Sequence, residues 1–483
     1  MLSFELKDLA TKSFDADFAD LRCFVSQLFN KIVDMADYKL SREQFADAVS
    51  KGLGRAMIHV KQHGLDDIAD ILLDACVHNK IYDAQCEDRR TDWLYAMFNN
   101  SPQYNDFRDG ILSALKKESV WREITLICDL AKEMALDGDK YAQAALKDFV
   151  LKSAAVQGET DYFGIDEYIK ADGNNAVLEL AKIYGQRLID NPEDEVVDRL
   201  SYNDEKCKAF SQLLKDHSYS DHRIKIYFDY LDDNDGLDPY VVPSEADLEN
   251  RKIEFLSQYN VERIIDCAKE GREENKSIYR RFGRYAEPND LEVIFAELLK
   301  AKEDGVRKRL LWVFWAIPLP AIHECFFEWA DSEDEELRAS ILSAFANFKN
   351  DKVHEFARKR VREGKIMGWG NHFVLDIFEK NFENDDANLI SDAILTSKPA
   401  KDDIHRFGLS IADIAKENKT SELKDMLIWV YENTPCSNCR ERAAKGLNEI
   451  GALSQEMIDE CLWDGSEEIR KFAKGLMKQK PME

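Results

Sequence analysis

The residues best suited to chemistry are two closely spaced cysteines, Cys436 and Cys439. A Cys-x-x-Cys pair can supply two thiolates to a zinc ion, or it can act as a redox dithiol that follows a strand. A structural zinc site needs four ligands, and no second pair of cysteines or histidines follows at a suitable distance. Cys461 comes 22 residues later and His405 comes 31 residues earlier, and neither spacing is typical of zinc sites. We therefore expect a packed helix start here, with no metal and no cofactor.

A second group of such residues is a cluster of cations within an acidic chain. Three of them, Arg272, Lys276 and Arg280, are spaced by four residues and therefore share one face of a helix. Equivalent helices align in a repeat protein, so a stripe of this kind could bind carboxylates or phosphates through forked hydrogen bonds. The alternative is an ordinary solvated surface, where the cations pair with neighbouring acids such as Glu273 and Glu274. The full cluster is Arg272, Lys276, Arg280, Arg281, Arg284, Arg307, Lys308, Arg309, Arg358, Lys359, Arg360 and Arg362.

Aromatic residues form a third group, on both sides of a short segment that contains Pro318 and Pro320. A helix, a proline-bounded turn and a returning helix would bring these rings together. Tryptophan is a common anchor in protein interfaces, so the group is a candidate binding surface. The alternative is that the rings form the core of a helical repeat. The group consists of Trp312, Phe314, Trp315, Phe326, Phe327 and Trp329.

Composition and motif content disfavour several classes of function. The chain has 483 residues and a formal net charge of −27, with −20 on residues 1–250 and −7 on residues 251–483. Such acidity repels a polyphosphate, so binding to nucleic acid is disfavoured except through the local basic cluster. No GxxxxGKS, GxxxxGKT, GxGxxG or GxSxG segment occurs, which removes the commonest nucleotide-binding and hydrolase signatures. The nine histidines show no catalytic grouping, so we do not expect an enzyme.

The elements that must position these groups are helices. Apolar residues recur every three or four positions along most of the chain, as Phe45 and Val49 do, and only 10 Pro and 21 Gly interrupt this pattern. Sustained alternation bounded by hairpin turns is absent, so the pattern predicts an all-α protein. We expect short turns at 137–139, 158–160 and 172–174, between helices of about 12 to 18 residues.

One motif recurs near predicted helix starts in the C-terminal half. It opens with an Asp, continues with acidic residues and then places an apolar residue beside an Arg, as in 331–342 and 464–473. A weaker copy occupies 439–447 and lies 30 residues before the last copy, measured from Arg to Arg. We expect Asp331 and Asp464 to cap their helices, because a side-chain oxygen there accepts from backbone N–H groups at the positive helix end.

This motif resembles HEAT-type helical repeats, clearly over about 300–483 and only in general architecture before that. The resemblance implies an elongated α-solenoid of stacked helical hairpins, arranged in two halves. An acidic, proline-bounded segment at 232–246 is the predicted linker. It would separate an acidic N-terminal helical domain, 1–231, from a C-terminal HEAT-like domain, 247–483.

The resemblance also implies a class of function, since HEAT-type proteins usually scaffold, tether or inhibit other proteins. We expect a non-enzymatic interaction module that holds another protein or a peptide on a solenoid surface. In a bacterium, this role includes inhibitors, immunity proteins and defence-system components. Two alternatives stay open: a HEAT-like solenoid enzyme, and a sensor of nucleic acid or nucleotides that uses the basic stripe. The expected binding residues are Arg272, Lys276, Arg280, Arg281, Arg284, Arg307, Arg309, Trp312, Trp315 and Trp329.

The expected location follows from three features of the sequence. The first residues lack the basic-then-apolar layout of a signal peptide, and no apolar run has the length of a membrane span. Ten scattered cysteines fit a reducing compartment better than a disulfide framework. We therefore expect a cytoplasmic protein that does not bind membranes.

Overall fold

The computed structural model describes residues 38–117, 120–156, 162–201, 203–234, 236–237, 244–271 and 275–479. Over these ranges the chain consists of helices and connecting turns without any β-strand, which confirms the predicted all-α class. Within the same ranges, no helix is both long enough and apolar enough to cross a membrane.

The helices are numbered here in chain order. The first eleven are α1 (Arg42–Lys51), α2 (Gly54–His63), α3 (Ala69–Val77), α4 (Thr91–Phe98), α5 (Tyr104–Leu115), α6 (Trp121–Leu136), α7 (Lys140–Ala154), α8 (Ile165–Asp172), α9 (Asn174–Asp190), α10 (Asp204–Ser218) and α11 (His222–Asp233). The next seven are α12 (Glu245–Gln258), α13 (Val261–Glu270), α14 (Lys276–Tyr285), α15 (Pro288–Lys300), α16 (Asp304–Val313), α17 (Glu324–Trp329) and α18 (Glu335–Phe345). The last nine are α19 (Asp351–Arg362), α20 (Phe373–Asp376), α21 (Phe378–Asn381), α22 (Asp386–Ser397), α23 (Lys401–Asn418), α24 (Lys424–Asn433), α25 (Ser437–Glu449), α26 (Gln455–Cys461) and α27 (Glu467–Gln479).

The chain divides into two compact units. Unit 1 comprises Met1–Val241 together with Gln455–Glu483, and unit 2 comprises Val242–Ser454. The segment predicted as a linker, 232–246, lies at this division, although 235 and 238–243 are outside the described residues. Helix α12 starts just after the second of the segment's two prolines, Pro243, and the Ser244 hydroxyl accepts from the backbone N–H of Asp247.

Unit 1 is built from two separate parts of the sequence. The C-terminal helix α26 packs on α2, and Arg55 of α2 forms a 2.7 Å ion pair with Glu460 of α26. The Trp93 indole N–H donates to the Trp463 carbonyl at 2.7 Å, and the Gly465 N–H donates to the Gly52 carbonyl at 2.7 Å. The described residues 455–479, which the sequence analysis assigns to the C-terminal domain, therefore contribute to the packing of unit 1.

Unit 2 contains a succession of helices that each pack on the next. The order of contact is α14, α16, α18, α20, α23 and α25, and we call this succession the central row. The helices of the row bury apolar stripes at helical spacing, as in α18, where Leu337, Ile341 and Phe345 are inaccessible to solvent. Arg280, Trp315, Phe373 and Arg406 all lie on this row or on a turn that follows one of its helices.

The short turns agree with the sequence where the structure describes them. Helix α6 ends at Leu136 and α7 begins at Lys140, and Gly138 between them has a φ of 97°. The Asp139 carboxylate caps α7 by accepting from two backbone N–H groups. The turn at 172–174 is also confirmed, with φ of 60° at Gly173. The turn expected at 158–160 lies outside the described residues.

The repeated Asp–Arg motif has a different local role from the one expected. Asp331 does not cap a helix, because α18 begins after Asp334. The Asp334 carboxylate accepts from the backbone N–H groups of Glu336 and Leu337 in the first turn of that helix. Asp331 instead pairs with a distant guanidinium, that of Arg360. The motif's arginines behave alike in two copies: each donates to the carbonyl six residues earlier, Arg338 to Ser332 and Arg470 to Asp464, at 2.6 Å in both cases. These arginines therefore close the turn that precedes each helix.

Candidate functional site

The predicted cations occupy several different environments. The Lys276 ammonium pairs with Glu336, and Arg307 forms a 2.7 Å ion pair with Asp304. Arg309 donates to the Ala268 carbonyl at 2.8 Å and is half-buried. Arg272 lies outside the described residues. The described side chains of Lys276, Arg307 and Arg309 are therefore engaged within unit 2 and do not form a uniform exposed stripe.

The predicted tryptophans also separate into two classes. Trp312 and Trp329 are buried, with 4% and 6% of their surface exposed, so they belong to the core of unit 2. Trp315, which follows the end of α16, is only half-buried. Its position in the turn after α16 leaves part of the indole accessible, whereas the two buried rings lie on helices.

The basic and aromatic groups, which the sequence presents as alternatives, are in contact with each other. The Lys276 ammonium lies 5.3 Å from the centre of the Trp312 ring, and the Arg307 guanidinium lies 4.8 Å from Trp329. Cation–π contacts at this range are attractive, and they gain strength when the pair is shielded from water. The two predicted groups therefore form one structure, in which cations cover tryptophan faces.

Arg280 and Arg284 lie one turn apart on α14, and no described carboxylate pairs with either of them. The Arg280 guanidinium stacks 3.8 Å from the centre of the Trp315 ring, and its Nε atom is buried without a hydrogen-bond partner. Burial lowers the pKa of Arg280, and the positive charge of Arg284, one turn further along α14, lowers it by a smaller amount. Arg281, between them, stacks 4.5 Å from Phe255 and donates to the Arg251 carbonyl at 3.3 Å. A chain with a large excess of acids thus keeps three arginines of α14 away from the described carboxylates.

The Arg280–Trp315 pair continues into further aromatic contacts along the central row. Trp315 packs edge-to-face on Phe373 of α20 at 5.6 Å, and Phe373 packs on Trp369 at 6.3 Å. The Arg406 guanidinium of α23 then lies 5.8 Å from the Trp369 ring, which is 45% exposed. We call this set the Arg–Trp surface; it consists of Arg280, Arg284, Trp315, Trp369, Phe373 and Arg406.

A buried histidine lies against the Arg–Trp surface. The His372 ring stacks on Phe373 at 4.2 Å, and its Nδ1 atom is buried without a hydrogen-bond partner. Burial, and to a smaller extent the positive charge of Arg406, lowers the pKa of His372 to about 4. The imidazole is therefore neutral at pH 7, so the positive charge of this surface comes from its arginines.

Three side chains that can bind a metal meet where α23 packs on α25. The Sγ atom of Cys439 lies 3.4 Å from the Nδ1 atom of His405, and candidate ligand atoms of His405, Cys436 and Cys439 all lie within 4.8 Å of one another. Both cysteines are buried and His405 is half-buried. A hydrogen bond with Cys436, and to a smaller extent burial, raises the pKa of the Cys439 thiol. The sequence identifies the two cysteines, but His405 does not stand at a spacing typical of zinc sites.

Unit 1 contains a separate cleft of about 890 Å³. Exposed Trp121 and Tyr162 line it, and Arg89 within it forms ion pairs with Asp129 at 2.7 Å and with Glu167 at 3.3 Å. Because this guanidinium is already paired with two carboxylates, the cleft offers a ligand less uncompensated charge than the Arg–Trp surface does.

No protein-family model matches this chain, and neither does any curated protein. The function must therefore be inferred from the sites themselves. Trp369, Phe373 and Arg406, which sequence reasoning missed, carry no local signal, since they meet Trp315 only through the packing of the central row. His405 had a usable signal: the repeat length of about 30 residues places it near the start of the preceding equivalent helix, α23.

Proposed function

We propose that the protein is a non-enzymatic interaction module that binds an acidic segment of another protein on the Arg–Trp surface. The observation that supports this proposal best is Arg280, which lies on Trp315, beside Arg284, without a carboxylate partner among the described residues. Holding two arginines together in this way costs electrostatic free energy, and a bound carboxylate would offset that cost.

The geometry of these side chains suits a carboxylate ligand. Stacking on Trp315 covers one face of the Arg280 guanidinium and leaves the in-plane N–H groups at its edge, where a carboxylate binds through two parallel hydrogen bonds. Exposed Trp369 provides an apolar contact beside Arg406, as aromatic anchors do in interfaces. A peptide that combines acidic and apolar side chains therefore matches both features.

Nucleic acid is the second ligand class with the same chemistry, since bases stack on tryptophan and phosphates pair with arginine. The overall charge of −27 opposes it, because long-range repulsion acts on a polyanion more strongly than on a short acidic peptide. We therefore favour the peptide, and the experiment below compares both ligands.

The proposal also includes a HEAT-type solenoid architecture and a cytoplasmic location. The successive contacts of the central row support an α-solenoid of HEAT type, in which a binding surface runs along equivalent helices. No disulfide joins any of the nine described cysteines, which supports a reducing cytoplasmic location. A bacterial scaffold, inhibitor or defence component is a role that such a module can fill.

The test is selection of peptides from a display library by the full-length chain. We expect the selected peptides to be enriched in Asp and Glu beside aromatic or aliphatic residues. The Arg280→Gln/Arg284→Gln variant should bind a selected peptide at least about tenfold more weakly, because each lost charged hydrogen bond contributes about 1.5–3 kcal/mol. Fluorescence anisotropy at two salt concentrations measures this loss, and the wild-type affinity should fall as salt rises.

Arg362→Gln is the matched control, since Arg362 is an exposed arginine of unit 2 that pairs with Glu355 outside the surface. This variant should bind the selected peptide like the wild type. Selected peptides without acidic residues, or full binding by a folded Arg280→Gln/Arg284→Gln variant, would contradict the proposal. Preference for a single-stranded oligonucleotide over every peptide would instead favour the nucleic-acid alternative.

A further inference from the structure

The contact between α23 and α25 brings together His405, Cys436 and Cys439, the one group of three potential metal ligands found among the described residues. We propose that these three side chains bind one zinc ion, with water at the fourth position. This inference concerns a site separate from the Arg–Trp surface and does not depend on the proposed function. It also reverses the expectation from sequence spacing, which found only two ligands near one another.

The arrangement of the ligand atoms suits tetrahedral zinc. Zinc lies about 2.3 Å from thiolate sulfur and about 2.0–2.1 Å from imidazole nitrogen, so neighbouring ligand atoms in a tetrahedral site are roughly 3.5–3.8 Å apart. Cys439 Sγ and His405 Nδ1 are already 3.4 Å apart, and all three ligand atoms fall within 4.8 Å. Small side-chain rotations are enough to place a zinc ion between them.

The local backbone favours thiolate ligands. Cys436 is the residue that precedes α25, and Cys439 lies in the first turn of that helix. The positive end of the helix dipole stabilises negative charge on both sulfur atoms. Arg442, three residues further along the same helix, adds a positive charge that its ion pair with Asp413 partly offsets. The helix dipole and Arg442 would thus offset part of the cost of burying thiolates at this site.

The ligand set determines the class of metal. Two thiolates and an imidazole are soft to intermediate ligands, which zinc prefers and which calcium and magnesium avoid. No fourth His, Cys, Asp or Glu joins the group within the described part of the chain. His405 is half-buried while both cysteines are buried, so solvent would reach the site on the side of the imidazole.

Two simpler explanations account for only part of this geometry. Buried cysteines often pack as small apolar side chains, but such packing does not require an imidazole nitrogen directed at the sulfur. A redox dithiol would explain the Cys-x-x-Cys spacing, but it would not need His405 as a third neighbour. A zinc site uses all three side chains at once.

The experiment measures metal in the full-length chain, purified without an affinity tag and passed through a desalting column in a weak chelator. Elemental analysis should find one zinc per chain in the wild type. Loss of a supporting residue around a zinc site typically lowers affinity about 10–100-fold, so loss of a ligand in Cys436→Ser, Cys439→Ser or His405→Ala should cost at least as much. Cys267→Ala, which removes another buried cysteine of unit 2, should retain zinc.

A second measurement does not depend on the folding of the variants. Wild-type protein, stripped of metal and titrated with cobalt(II), should show the thiolate-to-cobalt charge-transfer band and the visible bands of a tetrahedral site, and zinc should abolish both. Absence of zinc from the wild type together with absence of these bands would overturn the proposal. A disulfide between Cys436 and Cys439 in freshly purified protein, detected by counting free thiols, would overturn it in favour of the redox dithiol.

Discussion

Arg187 in unit 1 and Arg280 in unit 2 show two opposite ways to hold a shielded guanidinium. Arg187 and Asp194 form a two-pronged ion pair at 2.8 and 3.1 Å, with both side chains only 8% exposed. Arg187 also donates to the carbonyls of Ala154, at 3.0 Å, and Glu195, at 3.2 Å. Arg280, in contrast, lies on an indole ring and has no described carboxylate partner.

One carboxylate in each unit shows the same contrast: Asp194 in unit 1 is paired with an arginine, whereas Asp376 in unit 2 has no described cationic partner. The hydrogen bonds from Arg187 lower the pKa of Asp194, which is therefore fully ionised at neutral pH. Burial raises the pKa of Asp376 in α20 to about 7, even though the Ser410 hydroxyl donates to it at 2.5 Å. Paired charges of this kind stabilise a fold, whereas isolated ones store unfavourable free energy that a ligand or a proton can release. The contrast therefore separates a structural arginine from a binding arginine.

The largest expected effect is on the paired arginine. Arg187→Met leaves the Asp194 carboxylate buried without its partner and removes donors to two carbonyls. Breaking a buried ion pair in this way typically costs about 3–5 kcal/mol, so the free energy of unfolding should fall by roughly that amount. Urea denaturation followed by circular dichroism measures it. The double variant Arg187→Met/Asp194→Leu should recover part of the loss, and equal loss in both would contradict the ion-pair explanation.

The second prediction concerns the isolated carboxylate. The pKa of Asp376 is raised in the folded state, so its contribution to stability is fully present at low pH and is lost as pH rises through about 7. Asp376→Asn should therefore stabilise the protein at pH 8 by roughly 1–3 kcal/mol and should have little effect at pH 4. Thermal unfolding at the two pH values tests this, with Asp194→Asn as the opposite case: it should destabilise the protein at pH 8, because the pKa of Asp194 is lowered.

The smallest effect on stability is expected at the isolated arginine. Arg280→Met retains apolar contact with Trp315 and leaves no carboxylate unpaired, so the free energy of unfolding should change by only about 0.5–1 kcal/mol. Binding of an acidic peptide should nevertheless weaken, and the small change in stability would not account for this loss of affinity. A loss of stability as large as that of Arg187→Met would show that Arg280 is structural and would remove the contrast between the two regions.

The sequence predicts where the helices lie along the chain better than it predicts which helices pack against each other. Apolar periodicity and short turns such as 137–139 are local properties, and both the all-α class and that turn are confirmed. The contact of Trp315 with Phe373 joins positions 58 residues apart and depends on how helices of the central row stack. His405 reaches Cys439 for the same reason, although the repeat length gives a partial signal. Local chemistry can nominate residues, but packing selects which of them meet.

The backbone contact between Gly52 and Gly465 also affects how the chain is made. A side-chain Cβ at Gly54 would lie 1.9 Å from the Glu460 carbonyl, so α2 and α26 meet at backbone distance. During synthesis, α26 emerges only after all of unit 2, and roughly 200 residues take about 10–40 s at about 5–20 residues per second. Until then, the face of α2 that later receives α26 has no native partner. Nascent chains are therefore most vulnerable to misfolding and proteolysis at this face, and ribosomes that stop before residue 455 release a first unit without its closing helices.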